Sequence, residues 1–293
     1  MRTILITGAT GFLGSHLVEA LLKEDQYQIL AFGRTMKTDS FPSHSRLKVY
    51  PLESLFREEW GSIDTVVNCA FARSNDPELL AAAINFTQKA IGRFKDIGVS
   101  SVINISSQGV YKRLTAGELS GEDSPIAPVD MYSMAKYSCE RLFSVSSIPY
   151  VTNVRMSSLY MPQRFLYSFI KKAIEGKVFT VTSPNQYMSL LDVSDASSGI
   201  CSIVRLAPEK RSDVYNLGLG VQYSLLEYAE CVKSVGNALG YNVEYDVVDG
   251  GTGACAGVDC TRLTVDTGWK PEYYLKELVE KSFKEFSAGQ ERR

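Results

Sequence analysis

Histidine is nearly absent from this chain. Of its 293 residues only His16 and His44 carry an imidazole. A Ser-His-Asp triad or a multi-histidine metal site would have to use one of these two, so most hydrolase and zinc-enzyme chemistries fall away. Long apolar runs are missing as well. Nothing approaches the roughly 18 residues of a spanning helix, and Ile4–Ile6 is far short of a secretory apolar region. Basic clusters are also lacking, and 31 Lys and Arg against 33 Asp and Glu leave a net charge of −2. Nucleic acid and anionic membranes therefore find no electrostatic footprint. The six cysteines (Cys69, Cys139, Cys201, Cys231, Cys255, Cys260) include no C-x-x-C pair. Reduced thiols in a cytoplasm are expected. Cys255 and Cys260 have no further ligands clustered around them, so no metal site is expected.

What is present suits a globular protein. Apolar residues make up 45% of the chain, enough for a sizeable core, and the length suggests about two domains. Thr3–Thr7, Gln28–Phe32, Thr65–Cys69, Ser101–Ile105 and Tyr150–Val154 read as buried strands rich in Ile, Val and Leu. Between them Phe12–Lys23, Pro77–Phe94 and Met131–Val145 have helical length and an apolar stripe. This alternation predicts an α/β fold, a Rossmann-like doubly wound parallel sheet covered on both faces. After about Pro162 the pattern changes to helices at Phe165–Glu175, Val193–Arg205 and Leu225–Leu239. Short strands near Val178–Thr182 and Asp213–Asn216, a Gly-rich loop at Asp249–Gly257 and a last helix from Leu275 complete it. Residues 1–161 are thus expected to form the dinucleotide-binding domain. Residues 162–293 are expected to form a small mixed C-terminal substrate cap, with some segments returning to the first domain.

The first strand runs straight into Gly8-Ala9-Thr10-Gly11-Phe12-Leu13-Gly14. Glycines at a strand-to-helix turn let the backbone approach a pyrophosphate seated on the helix N-terminus. The spacing is G-x-x-G-x-x-G, and its position directly after a clean strand gives it weight. Gly8, Thr10, Gly11, Phe12, Leu13 and Gly14 are the candidate cofactor contacts. His16, one turn into the helix, reads as structural. The second strand ends Ala31-Phe32-Gly33-Arg34-Thr35 with no carboxylate at its tip to bind a ribose 2′-hydroxyl. Arg34 instead offers a planar fork to a 2′-phosphate, or is a solvated surface arginine. NADP is favoured, with NAD the alternative.

Tyr132 and Lys136 form Y-x-x-x-K on a predicted helix, one turn apart on one face. A neighbouring ammonium favours the phenolate and makes proton exchange with a substrate oxygen feasible at neutral pH. With 16 tyrosines about one such match arises by chance, and Tyr167 with Lys171 is a second. Context separates the two, because Ser106-Ser107 follows a predicted strand upstream of Tyr132. The Tyr167 pair, on a cap helix, has no such partner and reads as a decoy.

These segments resemble the extended short-chain dehydrogenase/reductase family, the NAD(P)-dependent epimerase/dehydratase group acting on nucleotide sugars. Thr7–Gly14 resembles its dinucleotide fingerprint, Asn68-Cys69-Ala70 its N/H-x-A segment, and Asn85 its helix asparagine. Ser106-Ser107-Gln108-Gly109-Val110-Tyr111 matches S-S-x-x-V-Y, Arg155–Pro162 resembles R-P-x-x-x-Y-G-P, and Leu191–Asp195 the V-x-D segment. Gly268-Trp269-Lys270-Pro271 matches G-W-x-P near the C-terminus. The resemblance implies that Ser107 hydrogen-bonds the substrate oxygen, Tyr132 exchanges its proton and Lys136 holds the nicotinamide ribose. It likewise implies Cys69, Ala70 and Asn85 as cofactor contacts, and hydride transfer at a substrate carbon.

The departures bear on substrate. Dehydratases of this family carry an acid directly after the catalytic serine segment, where this chain has Gln108 and Gly109, so dehydration is not expected. Ser158 stands in place of the asparagine that usually holds the diphosphate, and Met188 where one arginine often lies. Arg164, Arg205 or Arg262 are open substitutes. Gln108, Ser158 and Met188 join Ser107 as candidate substrate contacts. Hydride transfer at a sugar carbonyl, of 4-ketoreductase or 4-epimerase type, is the leading expectation. Reduction of a non-sugar carbonyl with NADPH, or a cofactor-binding sensor without turnover, are the alternatives. The resemblance also implies a homodimer through the helices Pro77–Phe94 and Met131–Val145. Leu79, Leu80, Ile84, Leu142 and Phe143 are available there, either for that contact or for packing on the sheet.

Overall fold

A computed structural model describes residues 1–34, 41–162, 164–248, 250, 253 and 255–289. Six strands and three helices come first: β1 (Arg2–Thr7), α1 (Phe12–Leu22), β2 (Tyr27–Gly33), β3 (Leu47–Pro51), β4 (Thr65–Asn68), α2 (Pro77–Asp96), β5 (Ser101–Ser107), α3 (Met131–Ser144) and β6 (Tyr150–Met156). Next come β7 (Ser158–Leu159), α4 (Phe165–Ile174), β8 (Phe179–Thr182), β9 (Tyr187–Met188), β10 (Leu190–Leu191) and α5 (Val193–Arg205). The chain closes with β11 (Val214–Leu217), β12 (Tyr223–Ser224), α6 (Leu225–Ala238), β13 (Tyr245–Val248), α7 (Thr261–Thr267) and α8 (Leu275–Ser287).

Seven strands form one sheet in the order β3-β2-β1-β4-β5-β6-β11, every neighbour parallel. Such a sheet needs cover on both faces. One face packs on α1 and α5 through Leu17, Val18, Ile200 and Ile203, the other on α2 and α3 through Ala90, Phe94 and Phe143. The order reverses between β1 and β4, and in open α/β sheets ligands bind beyond the carboxyl ends of the strands at that point.

A buried chain of side-chain hydrogen bonds runs across the strands. Thr7 Oγ1 donates to Asn68 Oδ1 at 2.7 Å, Asn68 Nδ2 to Asn104 Oδ1 at 3.0 Å, and Asn104 Nδ2 to Asn153 Oδ1 at 2.9 Å. The four residues are paired directly across β1, β4, β5 and β6. A one-residue slip would turn these groups to the other face and break the chain, so it pins the register.

The second half of the chain divides its segments. Helices α4, α6 and α8 enclose a separate apolar cluster around Phe169, Phe179, Tyr228, Val232, Leu278 and Phe283. The segment expected near Asp213–Asn216 is β11, which joins the central sheet beside β6. β3 and β13 were not anticipated: both run along sheet margins with half or more of their residues solvent-facing, which dilutes the apolar pattern. Of the Asp249–Gly257 loop, Asp249, Gly251, Thr252 and Ala254 lie outside the described residues, while Cys255 and Ala256 bridge to Leu114 and Met188. All six cysteines are free thiols. Among the described residues no helix is long and apolar enough to cross a membrane.

Candidate active site

The turn after β1 is shaped by close backbone approach. Gly8 has φ 67°, and a Cβ there would come within 2.8 Å of the Cys69–Ala70 backbone. A Cβ on Gly14 would run into the Gly8 carbonyl. The glycines therefore let α1 start directly against the ends of β1 and β4. Helix α1 begins at Gly11 with no side-chain cap and no acid in its first turn. Its leading N–H groups and partial positive charge stay available to an anion, which suits a dinucleotide pyrophosphate. Thr10 and Phe12 are half-buried beside it and Leu13 packs into the core. His16 points Nδ1 at the Phe12 carbonyl, 2.8 Å away, a local structural bond. Arg34 is exposed just past β2, and residues 35–40, Thr35 among them, lie outside the described residues.

Ser107, Tyr132 and Lys136 come from the end of β5 and the first turns of α3. Asp130 caps that helix by accepting the Ser133 N–H at 2.8 Å, and Asn75 Oδ1 accepts the Tyr132 N–H at 3.1 Å. Deeper in, Glu140 on α3 receives Arg155 of β6 in a buried ion pair at 2.8 Å and also accepts the Ser106 hydroxyl. These ties hold α3 against the carboxyl end of the sheet. Ser107 Oγ accepts the Gly109 N–H at 3.1 Å, leaving its own proton for another acceptor. Gly109 lies close under α3: a Cβ there would meet Ser133 Oγ and force that hydroxyl to move.

Lys136 Nζ donates to the Ile105 carbonyl at 2.7 Å and lies 4.1 Å over the Phe71 ring, but 6.0 Å from the Tyr132 ring centre. Burial pulls its ammonium down to about 8, against the favourable influence of Cys139, Cys69 and Glu140. Cys69 is half-buried and its thiol is pushed up to about 12 by burial. Burial also raises the Tyr132 hydroxyl above its ordinary value. The charges that oppose this rise are Arg73 and Arg164, with Asp130 acting the other way. Arg73 and Arg164 thus favour the phenolate, while the Lys136 ammonium is turned to Ile105 and Phe71. Phe71 packs edge-on against Tyr132 at 5.7 Å. Sequence reasoning passed over Arg73, Phe71 and Asn75; their signal was only their place just after Asn68-Cys69-Ala70.

The remaining candidates are spread around this centre. Gln108 follows Ser107 directly, and its Oε1 is buried without a partner among the described residues. Ser158 lies on β7, paired with Leu190 of β10, and Met188 on β9, paired with Tyr223 of β12. The adjoining hydroxyls of Ser157 and Ser189 are likewise buried and unpartnered among the described residues. Asn85 is exposed on α2. Tyr167, of the second Y-x-x-x-K, packs on Phe286 of α8 at 4.7 Å, in the α4/α6/α8 cluster.

The chain belongs to the NAD dependent epimerase/dehydratase family, which it matches over residues 4–218. It is an enzyme of the extended short-chain dehydrogenase/reductase type. It is 25% identical to a UDP-glucose 4-epimerase of Lactobacillus helveticus, covering 92% of each chain. To the low-salt glycan biosynthesis protein Agl12 of Haloferax volcanii it is 22% identical, over 94% of this chain and 96% of the other. The fold superposes on UDP-glucuronic acid 4-epimerase from Bacillus cereus, solved with UDP-glucuronic acid and NAD, with a TM-score of 0.82. That match has 21% identity and covers 98% of this chain and 99% of the other.

Proposed function

We propose that this enzyme carries out hydride transfer at a sugar carbonyl of a nucleotide-activated sugar, as a 4-ketoreductase or 4-epimerase. The observation that carries the reading is Ser107, Tyr132 and Lys136 at the carboxyl edge of a sheet whose first turn is built for a pyrophosphate. In this reading residues 1–161 hold the dinucleotide, through Gly8–Gly14, Arg34, Cys69, Ala70 and Asn85. Residues 162–293, apart from α5 and β11 of the sheet layer, supply the substrate side together with Ser107, Gln108 and Ser158. Ser107 donates its free hydroxyl proton to the substrate oxygen, since its own lone pair is engaged by Gly109. Tyr132 exchanges a proton with the same oxygen. Lys136, with one of three donors on Ile105, offers the others to the nicotinamide ribose. The bound nicotinamide dinucleotide supplies the hydride chemistry. Neither Gln108 nor Gly109 provides the acid that eliminates water, which disfavours dehydration.

The names of relatives, among them a UDP-glucose epimerase and a dTDP-glucose dehydratase, support a nucleotide sugar as substrate. For the cofactor the reading is NADP, because β2 ends in Gly33-Arg34 without a carboxylate. The assembly proposed is a homodimer through α2 and α3, in a cytoplasmic setting. Purified protein offered NAD(H) and NADP(H) with a panel of UDP- and dTDP-sugars should turn over at least one. Turnover of simple aldehydes alone would replace this reading with a non-sugar reductase.

A further inference from the structure

Three arginines were open substitutes for the missing substrate anchors, and two of them are spoken for. Arg205 is paired with Glu24 at 2.8 Å, and Arg262 with Asp123 at 2.8 Å and Glu122 at 3.7 Å. Arg164 differs. It sits at the N-cap of α4 without making a cap bond, and its Nε is buried with no hydrogen-bond partner among the described residues. Arg73, on the loop after β4, reaches across to the Met161 sulfur beside Arg164. Neither forms an ion pair among the described residues, and each is close enough to influence the other and the Tyr132 phenol. The one carboxylate acting on Tyr132, Asp130, is committed to capping α3.

Two like charges held together, one with a desolvated donor, are unfavourable unless an anion joins them. We propose that Arg73 and Arg164 form the substrate's anion clamp, gripping an anionic oxygen group of the nucleotide sugar beside Tyr132. The guanidinium forks suit a carboxylate or a phosphate equally. The source is then either an acidic sugar ring or the diphosphate, whose usual asparagine and arginine are Ser158 and Met188 here. This inference rests on the proposed function for the identity of the molecule that brings the anion.

The test is calorimetric binding of UDP-glucose, UDP-glucuronic acid and UDP to cofactor-saturated protein. Wild type is compared with Arg164→Met and Arg73→Met, the latter an exposed side chain that keeps the test open if the former fails to fold. Loss of a charge-assisted contact should weaken binding about ten- to a hundredfold. Loss confined to UDP-glucuronic acid assigns the clamp to a sugar carboxylate, and equal loss for all three assigns it to the diphosphate. Unchanged affinity in both variants overturns the clamp. Should wild type bind no nucleotide sugar, the proposed function fails on its own. The clamp is then judged by inorganic pyrophosphate added to the same cofactor-saturated protein: thermal stabilisation lost in Arg164→Met upholds it, and stabilisation unchanged or absent overturns it.

Discussion

At the residue scale, the phenol of Tyr132 is the group whose loss should remove chemistry and little else. Tyr132→Phe should abolish turnover while cofactor affinity, followed by nicotinamide fluorescence, stays nearly intact. Tyr167→Phe, half-buried against another cluster, should leave turnover in place; the reverse pattern would assign the chemistry to the other motif. Lys136 has a signature of its own. Its ammonium sits at about 8 in the fold against 10.5 for an ordinary lysine. Between those values the unfolded chain holds a proton that the folded chain has released, so the stability contributed here rises with pH across that window. Denaturant titrations at about pH 8 and about pH 10 should show this gain in wild type and its loss in Lys136→Met. Arg34 tests the cofactor. A charge-assisted contact to a 2′-phosphate is worth about 1.5–3 kcal/mol, so NADPH should bind more tightly than NADH, and Arg34→Ala should remove most of the margin. Equal affinities in wild type would exclude that role for Arg34.

At the scale of elements, the placement of α3 decides the site. Its N-terminus is tied by Asp130 and Asn75, and its middle by the Glu140–Arg155 pair. The sheet beneath is registered by the Thr7–Asn68–Asn104–Asn153 chain. Asn104 is its middle link, so Asn104→Leu strands a donor on Asn68 and an acceptor on Asn153, both buried. Unsatisfied buried groups cost about 1–3 kcal/mol each. Urea denaturation should therefore show a loss of about 2–5 kcal/mol; a loss well below 1 kcal/mol would mean that the backbone ladder alone sets register.

For the whole molecule, the two faces of the sheet have different fates. Leu80 and Phe143, both available for a dimer contact in the sequence, are buried, and Phe143 packs in the sheet-side core. Leu79, Met131 and Met134 on α2 and α3 stay 46%, 51% and 46% exposed. A helix face that keeps such residues in water invites a copy of itself. Light scattering at micromolar concentration should report about twice the 32.4 kDa chain mass, and Leu79→Glu should shift it toward the monomer. A single 32.4 kDa species for wild type would leave this surface for something else.

Much of this was legible in the chain itself. The alternation of β-branched strands and amphipathic helices determined the doubly wound sheet, because a parallel sheet needs apolar residues on both faces and that pattern is local. Gly8, Gly11 and Gly14, Ser107, and the Tyr132–Lys136 pair could be named because each follows a recognisable strand or helix boundary. β3 escaped because an edge strand buries little. A return of some later segments to the first domain was expected. That β11 is the one that pairs with β6 could not be named, because pairing partners distant in sequence leave no mark in either strand alone. Only the tertiary structure decided which cations face Tyr132. Lys136 is one helical turn away, yet its ammonium is drawn to the Ile105 carbonyl and the Phe71 ring. Arg73 and Arg164 are separated by most of the first domain and meet through folding. Charge proximity is a property of packing, and spacing along the chain does not encode it.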